Sequence, residues 1–424
     1  MVKSSLISGF YKLSPRDRLL LLKQFADLSE TECNLLQNTG SLSLEVADRM
    51  IENVVGAMPQ PLGIAVNFQI NKHDYLIPMV TEEPSVVAAA SYAAKMVRDG
   101  GGFHTSSTSP VMIGQIQAMV KTDPEAARIR VLAAKQDILK KANEQDPLLA
   151  SVGGGAKDVD ARVLQTTVGS MVITELHVDC RDAMGANAVN TMAEAVAPMI
   201  EELTGGTVYL RIISNLATKR LAKAWCNVPK EAVGGEEIVD GIVNASAFAE
   251  ADPYRAATHN KGIMNGIIAV ILATGNDHRA IEAGAHAFAA LKGRYTSLSS
   301  WEKDANGNLI GKIELPMAVG LIGGAVKTHP IAKISVKILG VKTANELGEV
   351  CAAVGLAQNL GALRALASEG IQCGHMSLHA RNIAVAAGVP EDLLEKVAER
   401  MVLERKVRMD RAKELMKELG SAGR

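Results

Sequence analysis

Lys261 is the only formal charge between Arg255 and Asp277 in the stretch Ala251 to Asp277. Ile263, Met264, Ile267, Ile268, Val270, Ile271 and Leu272 follow it, so the segment is expected to lie against other elements, with Lys261 in low-dielectric surroundings. An unpaired buried ammonium gives up its solvation or its proton, which calls for a carboxylate partner, and Asp277 is the nearest downstream candidate. Such a pair can stabilise a developing oxyanion, or it can simply anchor a core segment. Glu83 is a second candidate. It lies with Glu82 between an apolar strand and an alanine-rich helix, where desolvation would suit a general acid; a solvated carboxylate favoured by the helix dipole is the plainer reading. His375, just after Gly374 where the apolar body gives way to a charged tail, is either structural or a proton donor that a C-terminal lid carries into a site.

The chain around these groups has 424 residues, enough for roughly two to four domains of ~100–200 residues each. Lys plus Arg number 45 against 46 for Asp plus Glu, so nothing in the charge points to nucleic acid or an anionic membrane as partner. The early apolar run Leu19 to Leu22 is flanked by charges and does not read as a signal peptide, and apolar runs stay below the ~18 residues of a membrane helix. A soluble, cytoplasmic protein is expected. The five cysteines are far apart without a CxxC pair, which suggests reduced thiols and neither a disulfide framework nor a thiolate zinc site; no metal is expected.

The elements that must position the reactive groups can be taken in order. Ser14 before Pro15 marks a helix start. Leu44 to Val55 reads as a short amphipathic helix and Tyr75 to Val80 as a strand. A small-residue helix running through Val86 to Ala94 follows, with Pro84 in its first turn, and Asp99-Gly100-Gly101-Gly102 breaks it. His104 to Pro110 reads as a Ser/Thr-rich loop, with a domain boundary near residue 109. Val111 to Val120 is β-like, Asp123 to about Gln145 helical, and Gly153 to Gly155 part of a loop. Val172 to Cys180, the turn Asp182 to Asn187, the helix Ala188 to Leu203 and the strand Val208 to Ile213 make a strand, loop, helix, strand unit. A glycine loop feeding a helix N-terminus suits a pyrophosphate, yet neither GxGxxG nor a P-loop pattern occurs. Gly293 to Glu314 reads as a hairpin around Asn306-Gly307, and Gly320 to Pro330 as a glycine-rich loop with Lys327 and His329. Glu346 to Leu366 is a long helix with Gln358 and Asn359 amid apolar neighbours, where buried amides ordinarily satisfy one another or the backbone. From Pro390 onward a charged, amphipathic helical tail is expected to be mobile or to dock weakly.

Glu83 in TEEPSVVAAAS, the loop DAMGANAVNTM, Lys261 in DPYRAATHNKGIMNG, Asp277 in ATGND and His375 in GHMSLHARN, taken together and in this order, resemble the class II (bacterial and archaeal) 3-hydroxy-3-methylglutaryl-coenzyme A (HMG-CoA) reductase family over about residues 10 to 390. The resemblance implies an α+β fold: a large, mainly helical domain (1–108 and 215–374) around a central helix, an inserted small ferredoxin-like NAD(P)-binding domain (109–214) and a C-terminal flap (375–424). It implies a homodimer with shared active sites, in some members a hexamer. The implied chemistry is reduction of HMG-CoA to mevalonate and free coenzyme A by two NAD(P)H, or the reverse. Lys261 would stabilise the oxyanion with Asp277 beside it, His375 would protonate the coenzyme A thiolate, and Glu83 would act as acid toward the intermediate aldehyde. Ser85, Asn215, Arg255, Asn265 and Gln358 would hold the substrate, and Asp182, Ala183, Met184, Gly185, Ala186 and Asn187 the dinucleotide. Asp146 matches the position where NAD-preferring members carry an aspartate, so NADH is expected to be favoured over NADPH, although Asp before Pro is also a common helix-ending turn. Ile268 and His278 depart from the family pattern, which often has an acidic residue and a Trp at these places. Two other readings remain open for the residues themselves: a Schiff-base lyase using a desolvated Lys261, and a coenzyme A- or nucleotide-binding protein without turnover.

Overall fold

The computed structural model describes residues 3–368, 371–404 and 406–421, with the side chains of 371–378, 420 and 421 outside that description. Its strands are β1 (Leu62–Ile70), β2 (His73–Val80), β3 (His104–Ser107), β4 (Val111–Met119), β5 (Gly155–Thr166), β6 (Gly169–Asp179), β7 (Thr207–Ser214), β8 (Leu221–Val228), β9 (Ser299–Lys303) and β10 (Leu309–Pro316). β1 and β2 form an antiparallel ribbon. A four-stranded antiparallel sheet runs β5-β6-β4-β7, with Pro124–Ala133 and Lys135–Asn143 between β4 and β5 and Ala186–Thr204 between β6 and β7. This strand, helix, strand, strand, helix, strand order with that neighbour order is ferredoxin-like. Period-two alternation turns Met112, Ile116, Ala118, Leu176 and Val178 onto the helices, where Val189, Met192, Val196 and Ile200 meet them.

A second antiparallel sheet, β3-β8-β10-β9, packs on the Ala344–Ala367 helix, which is buried along most of its length and also packs against Pro253–Ala273 and Val86–Asp99. The whole is a mixed α+β fold. Among the described residues Ala344–Ala367 alone has the length and hydropathy of a membrane span, and 67% of that window is buried inside the protein.

The sequence expectations need five adjustments. The helix expected from Leu44 to Val55 stops at Asp48, and Val55 is fully out in solvent. The loop His104 to Pro110 contains β3, whose hydroxyl side chains are held by Glu349: Thr105 and Ser107 donate to it at 2.8 and 2.7 Å. The helix after Asp123 is broken at Ala134. The glycine-rich loop holds a short helix, Gly324–Thr328. The tail is a small assembly: Leu394–Leu403 and Met409–Ser421 close with Ile371–Ala386 over Ala380, Ala384, Val397, Met401 and Leu415.

Candidate active site

Asp252 caps the Pro253–Ala273 helix by accepting from Tyr254 N at 2.8 Å, and Pro253 fits its first turn. One side of the helix, His259, Asn260, Ile263, Met264, Ile267 and Ile271, is buried. Thr258, Lys261, Asn265, Ile268 and Leu272, spaced by three and four, form a stripe that is not. Lys261 therefore stands on an open face with 62% of its side chain exposed, and its Nζ meets Glu83 Oε2 at 3.0 Å. Asn265 Nδ2 lies 3.4 Å from the same oxygen. The expected low-dielectric burial and the Lys261–Asp277 pair within one chain are both corrected. Twelve residues separate Lys261 from the helix end at Ala273, about 18 Å at ~1.5 Å per residue. Asp277 lies beyond that end, where it caps His278–Ala289 by accepting from Arg279 N at 3.0 Å and Ala280 N at 3.2 Å, and it pairs with Arg279.

Glu83 sits between β2 and the Val86–Asp99 helix, with its N–H donating to Thr81 Oγ1 at 3.2 Å. Ser85, at the helix start, has φ 77°, a left-handed conformation that costs a non-glycine residue ~1 kcal/mol or more. Pro84 thus precedes the helix. Arg255 is half-buried, burial lowers its pKa from the ordinary value, and none of the described residues offers it a hydrogen bond or ion pair.

Gln358 and Asn359, neighbours on the Ala344–Ala367 helix, differ in satisfaction. Gln358 packs on the open-site helix at Gly266, where a Cβ would come within 2.9 Å of Gln358 Cβ, and its Oε1 is buried without a hydrogen bond. Asn359 is fixed: Trp301 Nε1, which can only donate, gives Asn359 Oδ1 a hydrogen bond at 2.6 Å, and Ser299 Oγ adds another at 2.9 Å. His259 Nε2 lies 2.8 Å from Ser299 Oγ and 3.1 Å from Asn359 Nδ2, which joins the imidazole to this network. Burial first, and Arg255 second, push the His259 pKa down to about 4. The neutral ring and its amide clasp two helices together beneath Arg255 and Gln358.

The other expected residues gather elsewhere. Gly185 (φ 106°) ends the loop after β6 and precedes the Ala186–Thr204 helix without capping it by a side chain, which leaves first-turn N–H groups directed outward. A Cβ on Gly185 would strike Cys180 Sγ at 2.3 Å, so only glycine fits. Asp182 Oδ1 accepts from Ala344 N at 2.7 Å, Ala183 bridges to Ile322, and Met184 O accepts from Arg220 at 3.1 Å. Asn187 is exposed and Ala186 half-buried. Asp146 caps Pro147–Ser151 by accepting from Leu149 N at 2.9 Å, and the chain just beyond it is tied to this loop by the Arg181 hydrogen bond to Gly153 O. Asn215 is exposed after β7, its carbonyl pressed on Gly284 of the helix that Asp277 caps. His375 lies on Ile371–Ala386, and its side chain falls outside the described residues. Glu83, Lys261 and Asn265 are in one group, with Gln358 packed one turn away; Asp277, Asn215 and the 182–187 loop belong to another.

A model of hydroxymethylglutaryl-coenzyme A reductase matches residues 14–380. The 3-hydroxy-3-methylglutaryl-coenzyme A reductase of Archaeoglobus fulgidus is 60% identical over 418 residues, 99% of this chain and 95% of that protein. The chain belongs to the hydroxymethylglutaryl-coenzyme A reductase family. Among solved structures of this family, the reductase from Streptococcus pneumoniae is similar with a TM-score of 0.84 at 42% identity, covering 97% of this chain and 99% of that one. The class II enzyme from the same organism, bound to NADPH in open conformations, gives 0.83 at 43% identity over 85% and 99% of the two chains.

Three features of this family member escaped the sequence reading: the His259–Asn359–Ser299–Trp301 network, the buried Arg220, and Glu83 as the partner of Lys261. Nothing local set Arg220 apart, since Lys219 precedes it and Lys223 follows. No short-range pattern carries the other two, since 178 residues separate Glu83 from Lys261 and 100 separate His259 from Asn359.

Proposed function

We propose that this chain reduces HMG-CoA to mevalonate and free coenzyme A, consuming two NAD(P)H and two protons, and that it can run the reverse reaction. The observation that carries this reading is Lys261 held 3.0 Å from Glu83 on an open helix face, in a chain 60% identical to an archaeal reductase. Lys261 supplies the cation for the oxyanion that forms when the thioester or aldehyde carbonyl accepts hydride. Glu83 delivers the proton to that oxygen, and His375 protonates the departing coenzyme A thiolate. Arg255, half-buried and without a partner among the described residues, suits the free carboxylate of the substrate, and Gln358, with Ser85, Asn215 and Asn265, its hydroxyl and carbonyl oxygens.

The bound nicotinamide supplies the hydride. An uncapped helix N-terminus after Gly185 fits its diphosphate, so Asp182, Ala183, Met184, Gly185, Ala186 and Asn187, within a cofactor-binding domain at 109–214, would hold it. Asp146 would favour NADH, and a cytoplasmic location accords with four described cysteines that are free and buried.

Since Asp277 lies beyond the end of the helix that carries Lys261, the dimer completes the site: Asp277 and the cofactor loop of one protomer face Lys261, Glu83 and Arg255 of its partner. Tyr254, 87% exposed beside Arg255, is the kind of aromatic surface that a second protomer covers. Thioester-dependent oxidation of NADH and NADPH, with the reverse reaction from mevalonate and coenzyme A, tests the activity. Mixing inactive Lys261→Ala and Asp277→Ala chains tests the division, because a mixed dimer would contain one intact site. Borohydride trapping of substrate on Lys261 would instead support a lyase.

A further inference from the structure

Arg220 is 3% exposed and makes no ion pair with a carboxylate among the described residues. Its guanidinium donates to three carbonyls: Nη1 to Ala183 O at 2.9 Å and Met184 O at 3.1 Å, and Nη2 to Val319 O at 2.5 Å. A buried guanidinium spent on backbone oxygens is a costly way to tie two loops, and it demands that those oxygens stay in one arrangement. The segment tied to the 182–187 loop, residues 317–322, makes further contacts with it. Asp182 O accepts from Leu321 N at 2.8 Å and Ile322 N at 3.2 Å, and Gly320 lies so close that a Cβ would come within 2.5 Å of Met184 N. On its far side the same segment holds the residue before Asp277, since Gly320 N donates to Asn276 Oδ1 at 2.8 Å.

We infer that Arg220 is a positioning residue which, through the 317–322 segment, keeps the cofactor loop in register with Asp277. The inference rests on the reading of residues 182–187 as the dinucleotide cradle. The geometry makes the two halves of the hydride-transfer chemistry, nicotinamide placement and the carboxylate of Asp277, depend on one strap. Lysine at 220 would keep the charge but lose the fork that reaches both loops at once.

Three variants of the full-length enzyme test it: Arg220→Lys, Gly320→Ala, which leaves Arg220 in place but displaces Met184, and Ala186→Asp, which sets a negative charge at the start of the cradle helix. Steady-state kinetics with each substrate varied, NAD(P)H binding by fluorescence, and thermal melting are the readouts. Arg220→Lys and Gly320→Ala are expected to raise KM and Kd for the nicotinamide by about tenfold or more while KM for HMG-CoA stays within about twofold. If they lower melting temperature without that split while Ala186→Asp weakens nicotinamide binding, the strap is only structural and the inference fails. If Ala186→Asp leaves nicotinamide binding unchanged, the cradle reading fails and takes the inference with it. Should Arg220→Lys not fold, Gly320→Ala decides alone.

Discussion

The Lys261–Glu83 pair lies on an open face, 62% and 34% exposed, where water competes with it, and such a pair contributes only about 0–1 kcal/mol to stability. Its removal should therefore leave the fold intact and remove chemistry. Lys261→Ala is expected to melt within a few degrees of the parent yet lose hydride transfer by more than about a hundredfold, the effect of deleting a key oxyanion donor. Activity within about tenfold of the parent would rule out the role given to Lys261. His259 behaves in the opposite way, as a stability residue beneath the site. Its pKa falls from 6.5 to about 4 on folding because burial disfavours the cation. Between these values the unfolded chain binds a proton that the folded chain does not. The stabilisation from the neutral ring is thus complete above about pH 6.5 and is lost as pH falls toward 4, on the order of 3 kcal/mol in all. His259→Gln, which can still accept from Asn359, should flatten the pH dependence of urea unfolding over that window; an unchanged slope would show that the ring does not titrate there.

Elements were legible where one periodicity ran without interruption. The Ala186–Thr204 and Ala344–Ala367 helices, β4, β6 and β7 follow plain patterns, and so does the ferredoxin-like order they build. β8 was missed because its buried face is Ala222, Ala224, Cys226 and Val228, a small-residue set that resembles helix composition, and the strand exists through pairing with β10 and β3. β5 was missed because the run Gly153-Gly154-Gly155 read as a loop, whereas the strand begins at Gly155. The reactive residues were legible by type, but their grouping was not: Asp277 was assigned to Lys261 by proximity in sequence, and a straight helix carries the two apart. The same caution applies to Asp146. Its side chain caps Pro147–Ser151 through Oδ1, while Oδ2 accepts no described hydrogen bond and is available to a ribose hydroxyl. A carboxylate there would repel the extra phosphate of NADPH. Higher kcat/KM with NADH than with NADPH is expected, with Asp146→Ala narrowing the gap; Lys140, Lys141 and Lys157, close in sequence, would temper it. Equal or better use of NADPH by the parent would leave Asp146 as a cap and nothing more.

Across the whole molecule, the described apolar residues form one main cluster and smaller separate ones, among them a C-terminal cluster. The main cluster reaches Leu360 and Leu363 on the long helix, and the C-terminal cluster includes Ala380 and Ala384, with no buried residue common to both among the described residues. Arg411 reinforces the second unit by binding Glu404, Glu414 and Glu418 of its own helices. Deleting residues 376–424 therefore exposes little of the main core, and the remaining body should fold and melt cooperatively. The 182–187 loop, proposed to hold the dinucleotide and tied down by Arg220, Asp182 and the 317–322 segment, lies entirely within that body, so nicotinamide binding should persist within about threefold in a fluorescence titration. Turnover is expected to fall by about a hundredfold or more, because the segment that would close the site after substrate entry, and that follows His375, is gone. Near-normal turnover by the truncated enzyme would show that the C-terminal unit takes no part in the reaction. Loss of nicotinamide binding together with turnover would show that it supports the cofactor half of the site instead of closing over the substrate.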